Sequence, residues 1–204
     1  MNKKLLLKSA CIAFVLTVIY SVIPFQAQCS TIPDDVFRLH ILANSDSKQD
    51  QSLKLKVRDR VLEYTKNLFE SASSKEEAEN LIADNLSEIT DVAQSAVKDN
   101  GYDYKVESRI VNMYFSTRHY KSYTLPSGMY DALRITIGSG KGHNWWCVMY
   151  PSICISSEKD GEEKAKQTFS EGEYDIVRNE KYEYRFFVVE MFESMCNYFR
   201  NTDS

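Results

Sequence analysis

The stretch VFRLHILANSDSKQDQSLKLKVRD (residues 36–59) carries the clearest succession of secondary-structure signals in this chain. Its first seven residues, Val36–Leu42, alternate and are rich in β-branched and aromatic types, which predicts a strand. A polar turn follows, and Ser47 with Asp50 then gives the pattern of a helix-capping box. From there apolar residues recur at spacings of three and four as far as Leu68, which predicts a long amphipathic helix.

The chain beyond this stretch continues with one more helix and then with strands. A second capping box at 74–77 begins the helix, and Asn100-Gly101 closes it. A final amphipathic helix is predicted at 187–199. The predicted order is β-α-α-β-β-β-β-α, an α+β domain whose helices cover one face of a mainly antiparallel sheet that includes the first strand. The four later strands are predicted at 104–111, 114–121, 130–137 and 145–150.

The first 29 residues have the pattern of an export signal. A basic start at Lys3 and Lys4 precedes an almost uninterrupted apolar run at Ser9–Ile23. Ala27-Gln28-Cys29 then offers small residues for cleavage. A cleaved signal is favoured over an uncleaved membrane anchor, and either arrangement places the rest of the chain outside the cytoplasm.

Residues 30–204 are predicted to form one α+β domain of acidic character. Removing the first 29 residues takes away three of the 25 basic residues and none of the 29 acidic ones, which leaves a net charge of −7. Such a domain is a poor nonspecific nucleic-acid binder, because phosphate neutralisation needs a basic surface. The segment at about 156–184 is charged and lacks a strong hydrophobic period. We predict a solvated excursion from the domain there, with one helical turn near 162–169.

Three cysteines lie beyond the leader, namely Cys147, Cys154 and Cys196. In an exported chain an odd number favours one disulfide and one remaining thiol. Because Pro151 ends a predicted strand and can turn the chain, we predict a Cys147–Cys154 disulfide and a buried Cys196 thiol. Three reduced cysteines are the alternative. The cysteines and the scattered histidines lack metal-ligand spacing, so neither a metal nor a cofactor is predicted.

Two patterns that suggest chemistry have simpler structural explanations. Gly138-x-Gly140-x-Gly142 joins two predicted strands, so it indicates a hairpin turn rather than a phosphate-binding loop, which leads into a helix. Asp46 and Asp50 stand where helix starts favour acids, so capping accounts for them better than acid–base catalysis does.

One group of residues has the types that a thiol-dependent active site needs. Cys147 with His40 or His143 supplies the residue types of an exported thiol hydrolase, which would act on cell-wall peptide. Nearness in sequence does not create the geometry of a nucleophile and its base, however. We therefore predict no catalytic residue and no enzymatic activity, with the thiol hydrolase as the alternative.

Two longer motifs follow one another along the chain. The first is RLHILANSDS (38–47), continued by Asp50-Gln51 and LKLKVRD (53–59). The second is LPSGMYDALR (125–134), which continues through IGSGKG into NWWCVMYP (144–151) and Cys154. Together they resemble the stage II sporulation protein R family, and the resemblance covers about residues 36–155.

The resemblance implies a signalling protein rather than an enzyme. Members are made in the forespore and exported into the space between the forespore and mother-cell membranes. There they trigger a membrane-embedded aspartic protease of the mother cell, which removes the pro-segment of a sigma factor. That protease is the expected partner, nucleic acid is not, and membrane contact is expected only through an uncleaved N-terminal segment. A structural component of the same space is a third interpretation.

Residues suited to binding this partner lie on the first strand, on the turn after it and around the glycine loop. Tryptophan and arginine are favoured at the centres of protein interfaces. The two adjacent tryptophans should face opposite sides of their strand. The candidates for partner binding are Arg38, His40, Asn44, Asp46, Arg134, Asn144, Trp145 and Trp146.

Overall fold

The computed structural model describes residues 8–9, 12–13, 16–17, 20, 25–69, 72–120, 123–152, 158–178, 182, 186 and 190. They fall into two compact units. The larger unit comprises Pro33–Phe115 and Met129–Glu171. The smaller unit comprises Met1–Ile32, Ser116–Gly128 and Gly172–Ser204.

The chain has the predicted α+β composition. A short 3₁₀ helix (Ile32–Asp35) precedes the first strand. In chain order the remaining elements are β1 (Phe37–Leu42), α1 (Lys48–Leu68), α2 (Lys75–Asp84), α3 (Leu86–Asp99), β2 (Val106–Phe115), β3 (Arg118–Tyr120), β4 (Tyr123–Leu125), β5 (Gly128–Ile137), β6 (Asn144–Tyr150), α4 (Glu158–Thr168) and α5 (Glu171–Arg178).

Serine caps begin the first two helices, as the sequence predicts. The Ser47 hydroxyl accepts a hydrogen bond from the Asp50 backbone N–H (3.1 Å) at the start of α1. The Ser74 hydroxyl accepts one from the Glu77 N–H (3.2 Å) at the start of α2. Each cap satisfies an N–H group that has no partner inside its helix.

The single second helix predicted up to Asn100-Gly101 is wrong, because the structure divides it into α2 and α3 at Asn85. The side-chain amide of Asn85 donates to the Leu81 carbonyl (2.8 Å), which is also the acceptor of the Asn85 backbone N–H (3.2 Å). The backbone of Asn85 leaves the helical region (φ −106°, ψ 17°). A short polar side chain that hydrogen-bonds a carbonyl of the preceding turn thus stands at the break in an otherwise continuous apolar stripe.

The main sheet has the strand order β2-β5-β1-β6, so β1 is an interior strand. β1 runs parallel to β5, with His40 opposite Arg134, and antiparallel to β6, with His40 opposite Trp146. The α+β class is thus confirmed, with a mixed rather than a purely antiparallel sheet. The connection from β1 to β5 includes three helices, which gives the length that a parallel crossover requires.

The glycine-rich segment 138–143 joins β5 to β6, but these strands are not neighbours, because β1 lies between them. The predicted hairpin turn is therefore wrong. The segment instead arches over the end of β1. Strand character alone predicts neither which strands pair nor whether a third strand separates two consecutive ones.

β2 continues through the gap between the strands predicted at 104–111 and 114–121, and the later part of the second prediction corresponds to β3. Asn112 in its middle is exposed and donates a hydrogen bond to the Asp131 carboxylate (2.8 Å) on β5. This polar residue links two strands across the sheet and does not end β2.

All six residues of β1 are buried, so both sides of this strand are covered. Phe37, Leu39 and Ile41 belong to the apolar core that they share with residues of α1, α2 and α3. We call this the apolar side of the sheet. Arg38 and His40 point to the opposite side, because side chains alternate along a strand. We call that the polar side.

The smaller unit is held together by aromatic contacts. The ring centroid of Phe25 lies 5.4 Å from that of Tyr182 and 5.3 Å from that of Phe186. The Arg178 guanidinium lies 5.7 Å from the ring centroid of Tyr123 in the β3–β4 hairpin. Phe25, which follows the apolar run, thus contacts two aromatic residues that lie beyond α5, and the end of α5 contacts the hairpin.

Two helices, α4 and α5, occupy the region predicted as a charged excursion with one helical turn. Their few apolar residues are buried, including Ala165, Ile176 and Val177. Narrow apolar stripes among many charges were therefore enough for helix formation. The predicted final helix at 187–199 lies outside the described residues, apart from Glu190.

The predicted export signal at 1–29 is described only in part. Residues 25–29 are helical, and Phe25 and Cys29 are buried. Within the described part of the chain, no helix combines the length and the apolar character needed to cross a membrane.

Candidate functional site

Two loops meet at the C-terminal end of β1, namely Ala43–Ser47 and Gly138–His143, and we call their meeting place the loop junction. The Asn44 side-chain oxygen accepts a hydrogen bond from the Ser139 N–H (2.9 Å). The Asn44 carbonyl accepts from the Ser139 hydroxyl (2.6 Å) and from the Lys141 N–H (3.3 Å). Asn44 therefore ties the turn after β1 to the glycine-rich loop.

Glycines are required here because the two loops approach closely. A Cβ at Gly138, whose φ is +58°, would lie 2.4 Å from the Asn44 side-chain oxygen. A Cβ at Gly142 would lie 2.2 Å from the Ser45 carbonyl oxygen. Real Cβ atoms do not make contacts this short, so any side chain would push the loops apart.

The glycine-rich loop is not arranged to cradle a phosphate. A phosphate loop directs several free backbone N–H groups at its ligand. In this loop each N–H from Gly138 to His143 already donates within the protein. The acceptors, in order, are the carbonyl of Lys105, the side chain of Asn44, the carbonyls of Ile137, Asn44 and Ala43, and the side chain of Asp46.

Asp50 lies beneath the loop junction and is almost completely buried. Its carboxylate accepts hydrogen bonds from the Asn44 amide (2.9 Å) and the Ser45 hydroxyl (2.5 Å). Burial alone would raise the pKa of Asp50, but hydrogen bonds from Ser45, Asn44, Tyr104 and Ser47 outweigh it and lower the pKa. The capping explanation for Asp50 is thus incomplete, because this buried carboxylate also organises the turn.

Asp46 and His143 form a polar pair on the exposed surface of the loop junction. The Asp46 carboxylate accepts from the His143 backbone N–H (2.6 Å) and contacts the His143 ring nitrogen Nδ1. These hydrogen bonds lower the pKa of Asp46. From below, the buried Lys54 ammonium donates to the His143 carbonyl (2.9 Å), and burial lowers the pKa of Lys54. Asp46 thus acts in the junction and not only near a helix start.

His40 stacks on Trp146 on the polar side, with ring centroids 4.0 Å apart and an angle of 2° between the planes. Burial lowers the pKa of His40 to about 4 and outweighs the rise caused by a hydrogen bond with the Asn144 side chain, while charge repulsion from Arg134 adds a smaller lowering. The His40 ring is therefore neutral at neutral pH.

Arg38 is completely buried on the same side. Its guanidinium lies 4.0 Å from the ring centroid of Phe115 and 4.7 Å from that of Tyr130. Contacts of this kind between a cation and aromatic faces are attractive. The polar side of the sheet is accordingly a layer of cationic and aromatic side chains.

The structure brings most of the predicted binding residues to these two neighbouring places. Of the predicted residues, only Asp46 and Asn144 are exposed. Trp145 lies on the apolar side, where the Arg58 guanidinium covers its ring at 4.3 Å. The polar side holds Arg38, His40, Arg134 and Trp146, the loop junction holds Asn44 and Asp46, and Asn144 borders both.

The cysteine chemistry suggested by the sequence is not assembled. Cys147 pairs with Leu39 in the register of β1 and β6 and is buried in the apolar core. His40 points to the opposite side of the sheet, and the His143 ring is engaged with Asp46. Cys154 and Cys196 lie outside the described residues, so the Cys147–Cys154 disulfide stays a prediction. Among the described residues no three metal-ligating side chains come together.

Asp50, Ser139 and His143 were not among the predicted binding residues. Asp50 was considered only for capping or acid–base chemistry, and His143 only as the base of a thiol hydrolase. Ser139 and His143 hydrogen-bond across the two loops, and Asp50 holds the turn after β1. The sequence signal for the contact between the loops is the glycine spacing, which indicates a close approach without identifying the approaching group.

Comparison with known proteins gives a consistent result. The family model described as "Stage II sporulation protein R" matches residues 33–160, a range that contains β1 and the complete loop junction. The stage II sporulation protein R of Bacillus subtilis (strain 168) is 37% identical over 142 residues, which is 70% of this chain and 63% of that protein. The aligned part thus spans less than two thirds of the relative's length. No solved structure matches the chain.

The match covers more than half of the chain and includes both loops that the hydrogen bonds of Asn44 hold together. The residues that build the loop junction therefore lie inside the shared region. On this basis the chain belongs to the stage II sporulation protein R family.

Proposed function

We propose that this chain is a sporulation signalling protein that activates a membrane-embedded aspartic protease of the mother cell, which then processes a pro-sigma factor. The observation that carries the proposal is the family match over residues 33–160. The protein acts after export from the forespore, in the space between the two membranes. Its N-terminal segment serves as an export signal or as an anchor.

The contact surface proposed for the protease is the exposed rim of the loop junction, which we define as Asp46, Ser139, Lys141, His143 and Asn144. These side chains stand on a base that is fixed by the hydrogen bonds of Asn44 and by the buried Asp50. A surface that is ordered before binding loses less conformational entropy when a partner docks.

Activation requires that the rim bind the active state of the protease more tightly than the inactive state. A ligand with equal affinity for both states shifts nothing, however tightly it binds. The expected mechanism is therefore a population shift in the protease, with no chemical step on this chain. The position of Cys147 in the apolar core supports this choice over a thiol hydrolase.

Reconstitution in a host that does not sporulate tests the proposal. The host would produce the target protease and the pro-sigma factor, with or without export of this chain, and processing would be followed by immunoblot. We expect the processed sigma factor only when this chain and an active protease are both present. An exported, folded chain that leaves processing unchanged would exclude the proposal.

A further inference from the structure

A cavity of about 300 Å³ lies between α1 and the segment that follows α3. Lys48, Ser52 and Lys56 contribute to it from one face of α1, since residues four apart in a helix are neighbours. The buried side chain of Leu53 also lines it. Tyr102 contributes a wall on the opposite side. The cavity thus combines two ammonium groups, a hydroxyl and an apolar surface.

The aromatic wall is connected to the loop junction. The Tyr102 ring stacks on Tyr104 with centroids 5.4 Å apart. The Tyr104 hydroxyl in turn interacts with the buried carboxylate of Asp50. Lys48 directly follows the Ser47 cap of α1, which belongs to the loop junction. The cavity and the proposed contact surface are therefore parts of the same end of the larger unit.

The charge around the cavity is unbalanced. None of the residues that line it is acidic, in a chain of net charge −4. One turn further along α1, Arg60 pairs with the Asp99 carboxylate of α3 (3.5 Å). Lys56 instead donates to the neutral amide oxygen of Asn100 (2.6 Å). Between α1 and α3, Arg60 thus has an acidic partner, whereas Lys56, beside the cavity, has an uncharged one.

The two ammonium groups keep unused hydrogen-bonding capacity. An ammonium has three donors, and Lys56 uses one of them on Asn100. Within the described ranges, neither Lys48 nor Lys56 forms an ion pair, whereas five other basic side chains on the surface pair with acids. Both lysines are exposed, so a partner can reach them.

We propose that this lysine cavity binds carboxylate side chains of an acidic segment of a partner protein. The two ammonium groups would each pair with a carboxylate, and the partly exposed ring of Tyr102 would contact the aliphatic part of the segment. This inference rests on the proposed function, because it assigns the segment to the protease that the chain activates. It adds that the segment of the protease that docks beside the rim is acidic.

The first experiment measures binding directly and without the protease. Full-length chain in mild detergent is titrated calorimetrically with an acetylated, amidated hexaglutamate peptide, and in parallel with hexaglutamine. We expect saturable binding of hexaglutamate that weakens as salt is raised, and no binding of hexaglutamine. Equal binding of both peptides, or binding of neither, would overturn the proposal.

Variants assign the binding to the cavity. The double variant Lys48→Glu with Lys56→Glu should reduce hexaglutamate affinity at least about tenfold, because attraction becomes repulsion. Lys48→Arg with Lys56→Arg keeps both charges and should stay within about threefold of the original affinity. Lys98→Glu with Lys164→Glu makes the same charge change on exposed residues outside the cavity and should bind like the unaltered chain. A control that loses affinity as strongly as the cavity variant would mean that only net charge matters.

Two other sources of negative charge are tested in the same way. The stem peptide of the cell wall and vesicles rich in phosphatidylglycerol both present anions. If either binds through Lys48 and Lys56 while hexaglutamate does not, the proposal of an acidic protein partner falls.

The processing assay separates this inference from the proposed function. We expect Lys48→Glu with Lys56→Glu to lower processing, and the arginine pair to restore it. Normal processing by the charge-reversed variant would overturn the cavity proposal and leave the signalling role intact. If the unaltered chain binds hexaglutamate but triggers no processing, the signalling role fails, together with the assignment of the acidic segment to the protease.

Discussion

The two sides of β1 are equally buried but chemically different. On the apolar side, Phe37, Leu39 and Ile41 lie against helix side chains in a continuous hydrocarbon core. On the polar side, Arg38 and His40 are buried just as deeply among aromatic rings. Alternation along a strand produces this division with no change of backbone.

The two sides contribute differently to the free energy of folding. Removing apolar area from water stabilises the fold wherever it occurs. Burying an arginine and a histidine opposes folding unless their polar groups are compensated. An apolar residue at position 40 would avoid that cost. The polar side therefore carries a specific arrangement, and it is the side that borders the rim of the loop junction at Asn144.

The largest expected effect tests the apolar side. Leu39→Ala should lower the free energy of unfolding by about 3–4 kcal/mol, because it removes buried methyl groups and leaves a cavity between the sheet and the helices. Urea denaturation followed by circular dichroism measures this loss. Leu39→Met keeps the volume and should cost less than about 1.5 kcal/mol. If both variants cost the same, the tight packing assigned to this side is wrong.

A slightly smaller effect should appear on the polar side, and only at acidic pH. The pKa of His40 is lowered from 6.5 to about 4 in the folded chain. Between these values the unfolded chain binds a proton that the folded chain does not bind. Stability from this residue is therefore complete above pH 6.5 and is lost as the pH falls towards 4, by about 3 kcal/mol in all.

His40→Phe isolates this contribution, because phenylalanine keeps an aromatic ring beside Trp146 and removes the titrating group. Unfolding free energies of the two proteins would be measured by urea denaturation at intervals from pH 7.5 to 4. We expect the free energy of unfolding of the variant to rise relative to that of the unaltered protein as the pH falls. Parallel curves would show that His40 takes up its proton as readily in the folded chain as in the unfolded one.

The local elements that the sequence predicts well are those with a strong period and a cap. The strand at 36–42 and the helix that begins at Ser47 were both predicted, because alternation, helical spacing and a side-chain cap are local signals. The break at Asn85 was not predicted, since an asparagine within a helical stripe is tolerated at many positions. The pairing of strands does not depend on local sequence signals, so the parallel pairing of β1 with β5 was not predicted.

The sequence points to several residues of the loop junction and of the polar side, but not to their arrangement. Asn44 and Asp46 were correctly placed on the turn after β1, yet their partners come from a loop about 95 residues later. The depth of burial of Arg38 was not predicted, because nothing in a single strand shows that both of its sides are covered. Distances of this kind depend on topology, which the sequence pattern leaves open.

A third prediction concerns the loop junction at the end of β1. Gly142→Ala should lower the free energy of unfolding by about 2–3 kcal/mol, because its Cβ would lie 2.2 Å from the Ser45 carbonyl oxygen. Gly101→Ala is the matched control, since that glycine has a φ of +81° but open space around it. Its expected cost is about 1 kcal/mol from backbone strain alone.

The two glycine variants should also differ in the processing assay. We expect Gly142→Ala to lose signalling, because it separates the loops under the rim, and Gly101→Ala to keep it. Thermal unfolding and the immunoblot for processed sigma factor would be measured on the same preparations. Equal behaviour of the two variants would mean that the close approach at Ser45 has no role in signalling.

The smallest effect on stability, with a large effect on signalling, is expected at the rim. Asp46 and Asn144 are exposed, and Asp46 makes its hydrogen bonds to His143 at the surface. Polar pairs in water contribute little to folding, because solvent screens them. Asp46→Ala combined with Asn144→Ala should therefore leave the urea midpoint close to that of the unaltered chain, while processing falls at least about tenfold if these side chains contact the protease.

Asp91→Ala combined with Ser95→Ala makes a comparable change on the exposed face of α3, away from the loop junction, and should signal normally. The comparison between the two double variants is informative because both are expected to be folded. If the rim variant is folded and signals like the α3 control, the protease does not bind through Asp46 and Asn144 of the rim. The layer of Arg134 and Trp146 on the polar side, which is only partly buried, would then become the surface to test.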